Sequence, residues 1–180
     1  MKGIIFNLLE EVVTDTADAC AWDNLLDTAA VTGAYTSLGS YPDAELVALL
    51  SVFSAQRGTD LSDTLRWFGR SAMPVLARRY PAFFTAANSA RDFVLSVNSI
   101  IHPEVRKLYA GAGCPHFHFS SGAAGELLVG YGSARQLCWL GHGFIEGASD
   151  HFAEPVRIEH RQCMHRGDKS CVLALDWSQQ

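Results

Sequence analysis

The sequence lacks a long apolar segment and an excess of positive charge, and each absence excludes a class of protein. No stretch approaches the roughly 18 consecutive apolar residues that a membrane-spanning helix needs. Positive charge is not in excess, because 14 lysines and arginines stand against 19 aspartates and glutamates, for a formal net charge of -5. Nucleic-acid-binding domains normally carry a basic surface. The composition therefore predicts a protein that binds neither membranes nor nucleic acids.

The N-terminus also lacks a secretion signal. In MKGIIFNLLEEVV, one lysine precedes an apolar run, but Glu10 and Glu11 end that run and no small-residue cleavage site follows. We interpret the segment as the first helix of a cytoplasmic protein. The five cysteines are an odd number, and three of them lie between residues 138 and 171. This distribution is typical of a metal or redox site rather than of a secreted disulfide framework.

The apolar residues follow two different periods along the chain. In the first part they recur at helical spacing, as in Leu46, Leu49 and Phe53. Beyond GAGCPHFHFSSGAAGE the segments PHFHF, ELLVGY, PVRIEHR and CVLALDW are short and typical of strands, and RQLCWLGHGFIEGASDHF has the length of one helix. We predict a single α+β domain over residues 1–180. Its helical lobe, residues 1–110, packs on a mixed lobe, residues 111–180, with about four mostly antiparallel strands.

A histidine directly precedes a proline within the helical pattern of SIIHPEVRKLY. On a continuous helix over residues 87–109, His102 shares its face with three other residues, Leu95, Val105 and Tyr109. An imidazole at such a place is either a satisfied core group or a ligand. Pro103 would clash with the carbonyl four residues earlier and remove a hydrogen bond, at a cost of roughly 3 kcal/mol in a helix interior. It therefore predicts a kink or a new helix start beside His102.

Tyr131, Ser133 and Arg135 fall at alternate positions of the segment YGSAR. On an extended strand these three side chains would lie on one side. Two hydroxyls and a guanidinium suit a pair of carboxylates, because arginine forms forked, charge-assisted hydrogen bonds to them. A solvated strand edge is the alternative interpretation.

His102 and the motif Y-x-S-x-R that follows it, in a chain that begins MKGIIFNLL, resemble the heme nitric oxide/oxygen binding family. These are the H-NOX domains related to the sensor lobe of soluble guanylate cyclase. The resemblance extends over essentially the whole chain, through IHPEVRKLY, YGSARQLC, GFIEGA and CMHRGDKSC. It implies a non-catalytic gas sensor that binds heme b between its lobes. The family also implies a separate partner, either a histidine kinase or a cyclic-di-GMP enzyme such as a diguanylate cyclase or phosphodiesterase.

The resemblance assigns roles to individual residues. His102 would be the proximal ligand of the heme iron, and the three residues of the Y-x-S-x-R motif would hold the propionates. Ile5 and Pro115 would press on the macrocycle and keep it distorted. A helix that carries an axial histidine can transmit movement, because axial ligation and macrocycle shape are the means by which a protein controls heme.

The face of the heme opposite His102 is expected to be lined by four apolar residues, Leu9, Ala72, Leu140 and Phe144. Family members that hold oxygen place a tyrosine at the position of Leu140. NO binds ferrous iron strongly without a hydrogen-bond donor, whereas oxygen gains from one. The resemblance therefore implies a sensor selective for NO, which also admits CO, unless the indole N–H of Trp139 supplies a donor.

The C-terminal cysteines form a second candidate site. Three cysteines and one histidine are ligand types of a closed structural zinc site. In this chain the candidate set is Cys138, His160, Cys163 and Cys171. Some family members carry a matching set. His165 is a rival to His160. Without a metal, the cysteines are either reduced thiols or, for Cys163 and Cys171, a redox pair.

Two other functions stay open. A zinc or thiol redox switch would regulate the same kind of partner, with heme in a secondary role. A cysteine hydrolase would use Cys114 with His116 or His118, but it lacks an acid to orient the histidine. An absorption spectrum after heme reconstitution separates these possibilities.

Overall fold

The first part of the chain is helical. The computed structural model describes residues 1–17 and 20–178. Its helices up to residue 108 are α1 (Gly3–Thr16), α2 (Ala21–Ala29), α3 (Asp43–Arg57), α4 (Leu61–Arg79), α5 (Pro81–Thr85), α6 (Ala90–Ser96) and α7 (His102–Leu108). A π-helical turn, Val97–Ile101, joins α6 to α7. The predicted helical character of this part is confirmed.

The second part contains a four-stranded antiparallel sheet and one long helix. The strands are β1 (Phe117–Ser121), β2 (Leu127–Tyr131), β3 (Arg157–Gln162) and β4 (Cys171–Asp176), and helix α8 (Cys138–His151) lies between β2 and β3 in the chain. The strand order is β1-β2-β4-β3, with each neighbouring pair antiparallel. The predicted α+β class and the four short strands are confirmed.

Helix α8 packs along α4 of the first part. Both helices have glycines at the contact: a Cβ on Gly143 would stand 1.9 Å from the carbonyl oxygen of Arg66, and one on Gly69 would stand 2.4 Å from that of Leu140. Two forked ion pairs also join the helices, Arg66 with Glu146 and Arg70 with Asp150. The glycines that weaken α8 as a helix therefore allow two backbones to approach closely.

Apolar side chains form separate clusters around the two parts. One includes Phe6, Leu50 and Phe68 from α1, α3 and α4, and another includes Leu127 and Leu173 from the sheet. Across the described ranges, no helix combines the length and the apolar character that crossing a membrane would require.

Candidate functional site

A cavity of about 340 Å³ lies between the helices and the sheet. Its lining is mostly apolar, and its volume falls in the range of small-molecule and cofactor sites. Eight of the ten residues predicted for a cofactor site line this one cavity: Ile5, His102, Pro115, Tyr131, Ser133, Arg135, Leu140 and Phe144.

Leu9 and Ala72 do not line the cavity, contrary to the prediction. Both side chains are fully buried in the helical core cluster. Their neighbours Leu8 and Met73 line the cavity instead. Consecutive helical residues point about 100° apart, so a difference of one residue moves a side chain to another face. The wall keeps its apolar character, but different side chains form it.

His102 is the first residue of α7. Its amide N–H bonds to the carbonyl of Val97, five residues earlier, so the preceding turn holds one residue more than an α-helical turn. Pro103 lies in the first turn of α7, where the missing N–H of proline is tolerated. The new helix start predicted beside His102 is confirmed.

The inserted residue changes which side chains share a face with His102. Leu95 is 37% exposed and does not line the cavity, whereas Val94 is 5% exposed and does. The prediction for Leu95 assumed a continuous helix and is wrong, because the π turn shifts the register before His102 by one position. Val105 and Tyr109, which follow the turn, line the cavity as predicted.

The surroundings of His102 favour a neutral imidazole. Burial lowers the pKa of His102 to about 4, and the nearby Arg106 guanidinium acts in the same direction, while the Pro115 carbonyl opposes them. Nδ1 of His102 is buried, and within the described part of the chain it makes no hydrogen bond of the usual geometry. A neutral imidazole is the form that binds a metal.

Only Tyr131 of the Y-x-S-x-R motif lies on a strand. Strand β2 ends there, and Ser133 and Arg135 follow in a loop, so the predicted extended geometry is wrong beyond Tyr131. The Tyr131 hydroxyl accepts the N–H of Leu137 at 3.1 Å, and the Ser133 hydroxyl accepts the N–H of Arg135 at 3.3 Å. These bonds fold the loop back, and all three motif side chains reach the cavity.

Arg135 brings positive charge to the edge of the cavity. Its Nε donates to Oδ2 of Asp43 at 2.7 Å, and its Nη1 donates to the carbonyl of Gly113 at 2.5 Å. The same Asp43 carboxylate takes the N-terminal ammonium at 2.6 Å. One carboxylate thus faces two cations, and the group keeps a net positive charge that suits an anionic ligand.

A pair of tyrosines in the cavity wall was not predicted as a pair. The hydroxyls of Tyr80, after α4, and Tyr109, after α7, hydrogen-bond to each other. Burial raises the pKa of Tyr109 to about 12, so the phenol is neutral. No local spacing connects positions so far apart in the chain. Trp139, the predicted alternative donor, stacks on His160 at 4.0 Å between ring centres and does not line the cavity.

The three C-terminal cysteines meet beneath the sheet. The sulfur atoms of Cys138, Cys163 and Cys171 lie within 4.8 Å of one another, and all three residues are buried. Burial is the largest of the effects that raise the pKa of Cys138 and of Cys171. These two thiols therefore stay protonated in the absence of a metal, whereas a bound metal would favour their thiolates.

The predicted histidine ligands lie outside this thiol cluster. Nε2 of His160 is 2.9 Å from Nδ1 of His142, and His165 bonds through Nε2 to the carbonyl of Gln136 at 2.7 Å. The sequence placed His160 three positions before Cys163, but a register shift in β3 lies between His160 and Gln162. The predicted four-residue zinc set is therefore not assembled in this structure.

The arrangement expected for a cysteine hydrolase is also not supported. Cys114 lines the cavity, and burial raises the pKa of its thiol, which disfavours the nucleophilic thiolate. His116 and His118 are exposed, with their ring centres 5.3 Å apart.

Comparison with known proteins identifies the family. The sequence profile described as Haem-NO-binding matches residues 2–160. The chain belongs to this family. Its structure is similar to that of an H-NOX protein from Shewanella oneidensis in the Fe(II)NO ligation state, with a TM-score of 0.91 and 30% identity over 98% of each chain. The family resemblance and the fold inferred from the sequence are confirmed.

Other H-NOX structures share the fold. The Fe(II) unliganded protein from K. algicida is 25% identical, with a TM-score of 0.84 over 98% of this chain and 96% of that chain. An oxygen-binding H-NOX domain related to soluble guanylate cyclases, solved as its oxygen complex, is 21% identical, with a TM-score of 0.81 over 98% and 94%. No curated protein gave a significant match. NO and oxygen complexes therefore both occur among proteins of this fold.

Proposed function

We propose that this protein is a non-catalytic, cytoplasmic sensor that binds heme b in the cavity and is selective for NO. The observation that carries the proposal is one apolar cavity with a half-buried, neutral His102 in its wall and the cationic Arg135 at its edge. Apolar walls suit a macrocycle, a neutral imidazole suits iron, and a guanidinium suits propionates. Membership of the Haem-NO-binding family supports the same cofactor.

The cavity residues would have different roles toward the cofactor. His102 would be the protein ligand of the iron, and Tyr131, Ser133 and Arg135 would hold the propionates through their hydroxyls and guanidinium. Ile5 and Pro115 would contact the macrocycle. When bound, heme would supply an iron atom that takes a diatomic gas.

The wall formed by α1, α4 and α8 supports selectivity for NO. Apart from the thiol of Cys138, the side chains that these described helices bring to the cavity are apolar, including Leu8, Met73, Leu140 and Phe144. A hydrogen bond to a strongly polar acceptor contributes about 1.5 to 3 kcal/mol, or roughly one to two powers of ten in affinity. Oxygen lacks that contribution from this wall, whereas NO and CO need it less.

We further propose that the gas signal passes to a separate partner, a histidine kinase or a cyclic-di-GMP enzyme. His102 begins α7, so a displacement of its imidazole would act directly on that helix. Such a change regulates a partner only by as much as the partner's affinity differs between the two conformations.

The test of selectivity is the absorption spectrum of the ferrous protein under argon, air and NO. We expect a Soret band that shifts with NO and stays at the argon position within minutes of exposure to air. A persistent oxygen complex would overturn the selectivity. If Tyr80→Phe then lost the oxygen complex, a tyrosine of the Tyr80–Tyr109 pair would be identified as the hydrogen-bond donor to oxygen.

The thiol cluster favours a second candidate function, a zinc or thiol redox switch. Three buried sulfurs within 4.8 Å of one another provide three of the four ligands of a structural zinc site. His160 lies outside these sulfurs, with its Nε2 2.9 Å from Nδ1 of His142, so the proposal rests on the three cysteines.

Metal analysis tests the zinc proposal. We expect about one equivalent of zinc per chain of purified protein, reduced in Cys163→Ser and unchanged in Cys20→Ser, which lies outside the cluster. Fully folded protein without metal would exclude the zinc site and leave the thiol switch to be tested by titration of its cysteines.

A further inference from the structure

Asn98 lies inside the π-helical turn, four residues before His102, and its side chain bonds outside the helix. Its Nδ2 donates to the carbonyl of Phe117 at 2.6 Å, and its Oδ1 accepts the N–H of Phe117 at 3.1 Å. One side chain thus pairs with both main-chain groups of one residue, as a neighbouring strand would. Phe117 begins β1, an edge strand, so these two bonds tie the π turn to the edge of the sheet.

The residue held by Asn98 is itself part of the cavity wall. The Phe117 ring centre lies 5.9 Å from that of His102 and 5.8 Å from that of Tyr131. Phe117 also pairs with Tyr131 across β1 and β2. Pro115 lies two positions earlier in the chain, in the same wall. A shift of Phe117 relative to the π turn would therefore alter the surroundings of His102.

The π turn makes the direction of α7 depend on contacts outside the helix. In an α-helix the amide of His102 would bond to the carbonyl of Asn98, but here it bonds to that of Val97. Such insertions occur frequently at functional sites. The Asn98 side chain supplies an external attachment at this point.

We propose that Asn98 is a positioning residue for His102. Its two bonds to Phe117 hold the π turn, and with it the start of α7, against the sheet side of the cavity. The proposal rests on the proposed function, because it takes His102 as the iron ligand. Asn98 does not line the cavity, so it acts through His102 and Phe117 rather than on the cofactor.

The test compares Asn98→Ala and Asn98→Asp with a matched control. Asn98→Asp has a similar volume but lacks the donor to the Phe117 carbonyl. The control, Asn7→Ala, also removes an asparagine that makes two hydrogen bonds from a helix, to the Tyr35 carbonyl at 3.0 Å and the Ser37 hydroxyl at 2.8 Å, outside the cavity. If Asn98→Ala does not fold, Asn98→Asp carries the comparison.

Two measurements separate positioning from general stability. In the heme-free protein, we expect hydrogen exchange of the Phe117 amide to accelerate roughly tenfold in Asn98→Ala, which corresponds to about 1.4 kcal/mol, and to stay unchanged in Asn7→Ala. In the ferrous heme-loaded protein, we expect the iron–histidine stretching band in the resonance Raman spectrum to shift or broaden in both Asn98 variants only.

The outcomes distinguish this inference from the function on which it rests. If wild-type protein binds heme through His102 and the Asn98 variants keep both the exchange rate and the stretching band, Asn98 has no positioning role. If the wild-type protein binds no heme, or His102→Ala leaves its ferrous spectrum unchanged, the proposed function fails and takes the positioning role with it.

Discussion

His102 differs from an ordinary core histidine in what surrounds its ring. Burial and Arg106 keep it neutral, and its buried Nδ1 makes no hydrogen bond of the usual geometry within the described ranges. A core histidine is normally satisfied by a partner, since an unpaired buried polar group costs about 1 to 3 kcal/mol. The ring therefore suits a bound ligand better than a packing role.

Replacement of His102 by glycine tests this assignment. We expect His102→Gly to retain ferrous heme only when imidazole is added, because the free imidazole refills the space left by the side chain. The Soret band with and without imidazole gives the answer, and His118→Gly, at an exposed position, serves as the control. An unchanged ferrous spectrum in His102→Ala would show that another residue is the ligand.

Arg135 should contribute more to heme retention than Tyr131. The guanidinium is the cation of the motif, so Arg135→Ala leaves the propionates without their charged partner, whereas Tyr131→Phe removes one hydroxyl. We expect faster heme transfer to an acceptor protein from Arg135→Ala. Asp43→Asn, which keeps the cation but weakens its anchor, should lie between them. Equal rates for the Arg135 and Tyr131 variants would contradict this order.

At the residue scale, the sequence alone indicated the candidate side chains but not their roles. Short spacings left a ligand or a core group open for His102, and an anion site or a solvated strand edge open for YGSAR, and the resemblance to H-NOX domains assigned the roles. The predictions for Leu9 and His160 were wrong because both depend on tertiary packing. Packing decides which face of its helix Leu9 occupies, and the shifted register of β3 decides which residues lie beside His160.

At the scale of elements, the close packing of α4 and α8 depends on glycine. We expect Gly143→Ala to lower the unfolding free energy of the heme-free protein by at least about 2 kcal/mol, because its methyl group would collide with the Arg66 carbonyl. Gly141→Ala, in the same helix with open space around it, should instead raise that free energy by about 0.4 to 1 kcal/mol.

Urea denaturation of the two glycine variants in parallel measures the difference. Similar losses in both would mean that the helix, rather than its packing on α4, is sensitive to the change. The contrast between the two positions was not visible in the sequence, where Gly141 and Gly143 weaken α8 alike.

The boundaries of the elements near the site were also predicted only in part from the sequence. Pro103 indicated a new helix start, and the structure has one, but the additional residue of the π turn could not be predicted because no residue pattern requires it. The alternation in YGSAR suggested a strand through Arg135. In the structure β2 ends at Tyr131, and hydrogen bonds within the following loop position Ser133 and Arg135.

At the scale of the whole molecule, acid should destabilise the heme-free protein before its carboxylates titrate. Burial lowers the pKa of His102 and of His160 to about 4, against about 6.5 in an unfolded chain. Below pH 6.5 the unfolded chain takes up protons that the folded protein does not, so stability falls as the pH drops toward 4 and is fully present above 6.5.

Urea midpoints between pH 7.5 and 4.5 measure this dependence. The double variant His102→Gln with His160→Gln should show a flatter profile than the wild-type protein. A wild-type midpoint that does not change across this range would mean that neither histidine is neutral by virtue of burial.

The packing of α8 on α4 also limits how the protein can be recombined with its relatives. The helix between β2 and β3, α8, packs on α4 in the first half of the chain, with Gly143 against Arg66. A hybrid that takes one half from another H-NOX protein would bring together helices that were not selected as a pair. A stable hybrid with a relative therefore requires exchange of α4 and α8 as one unit.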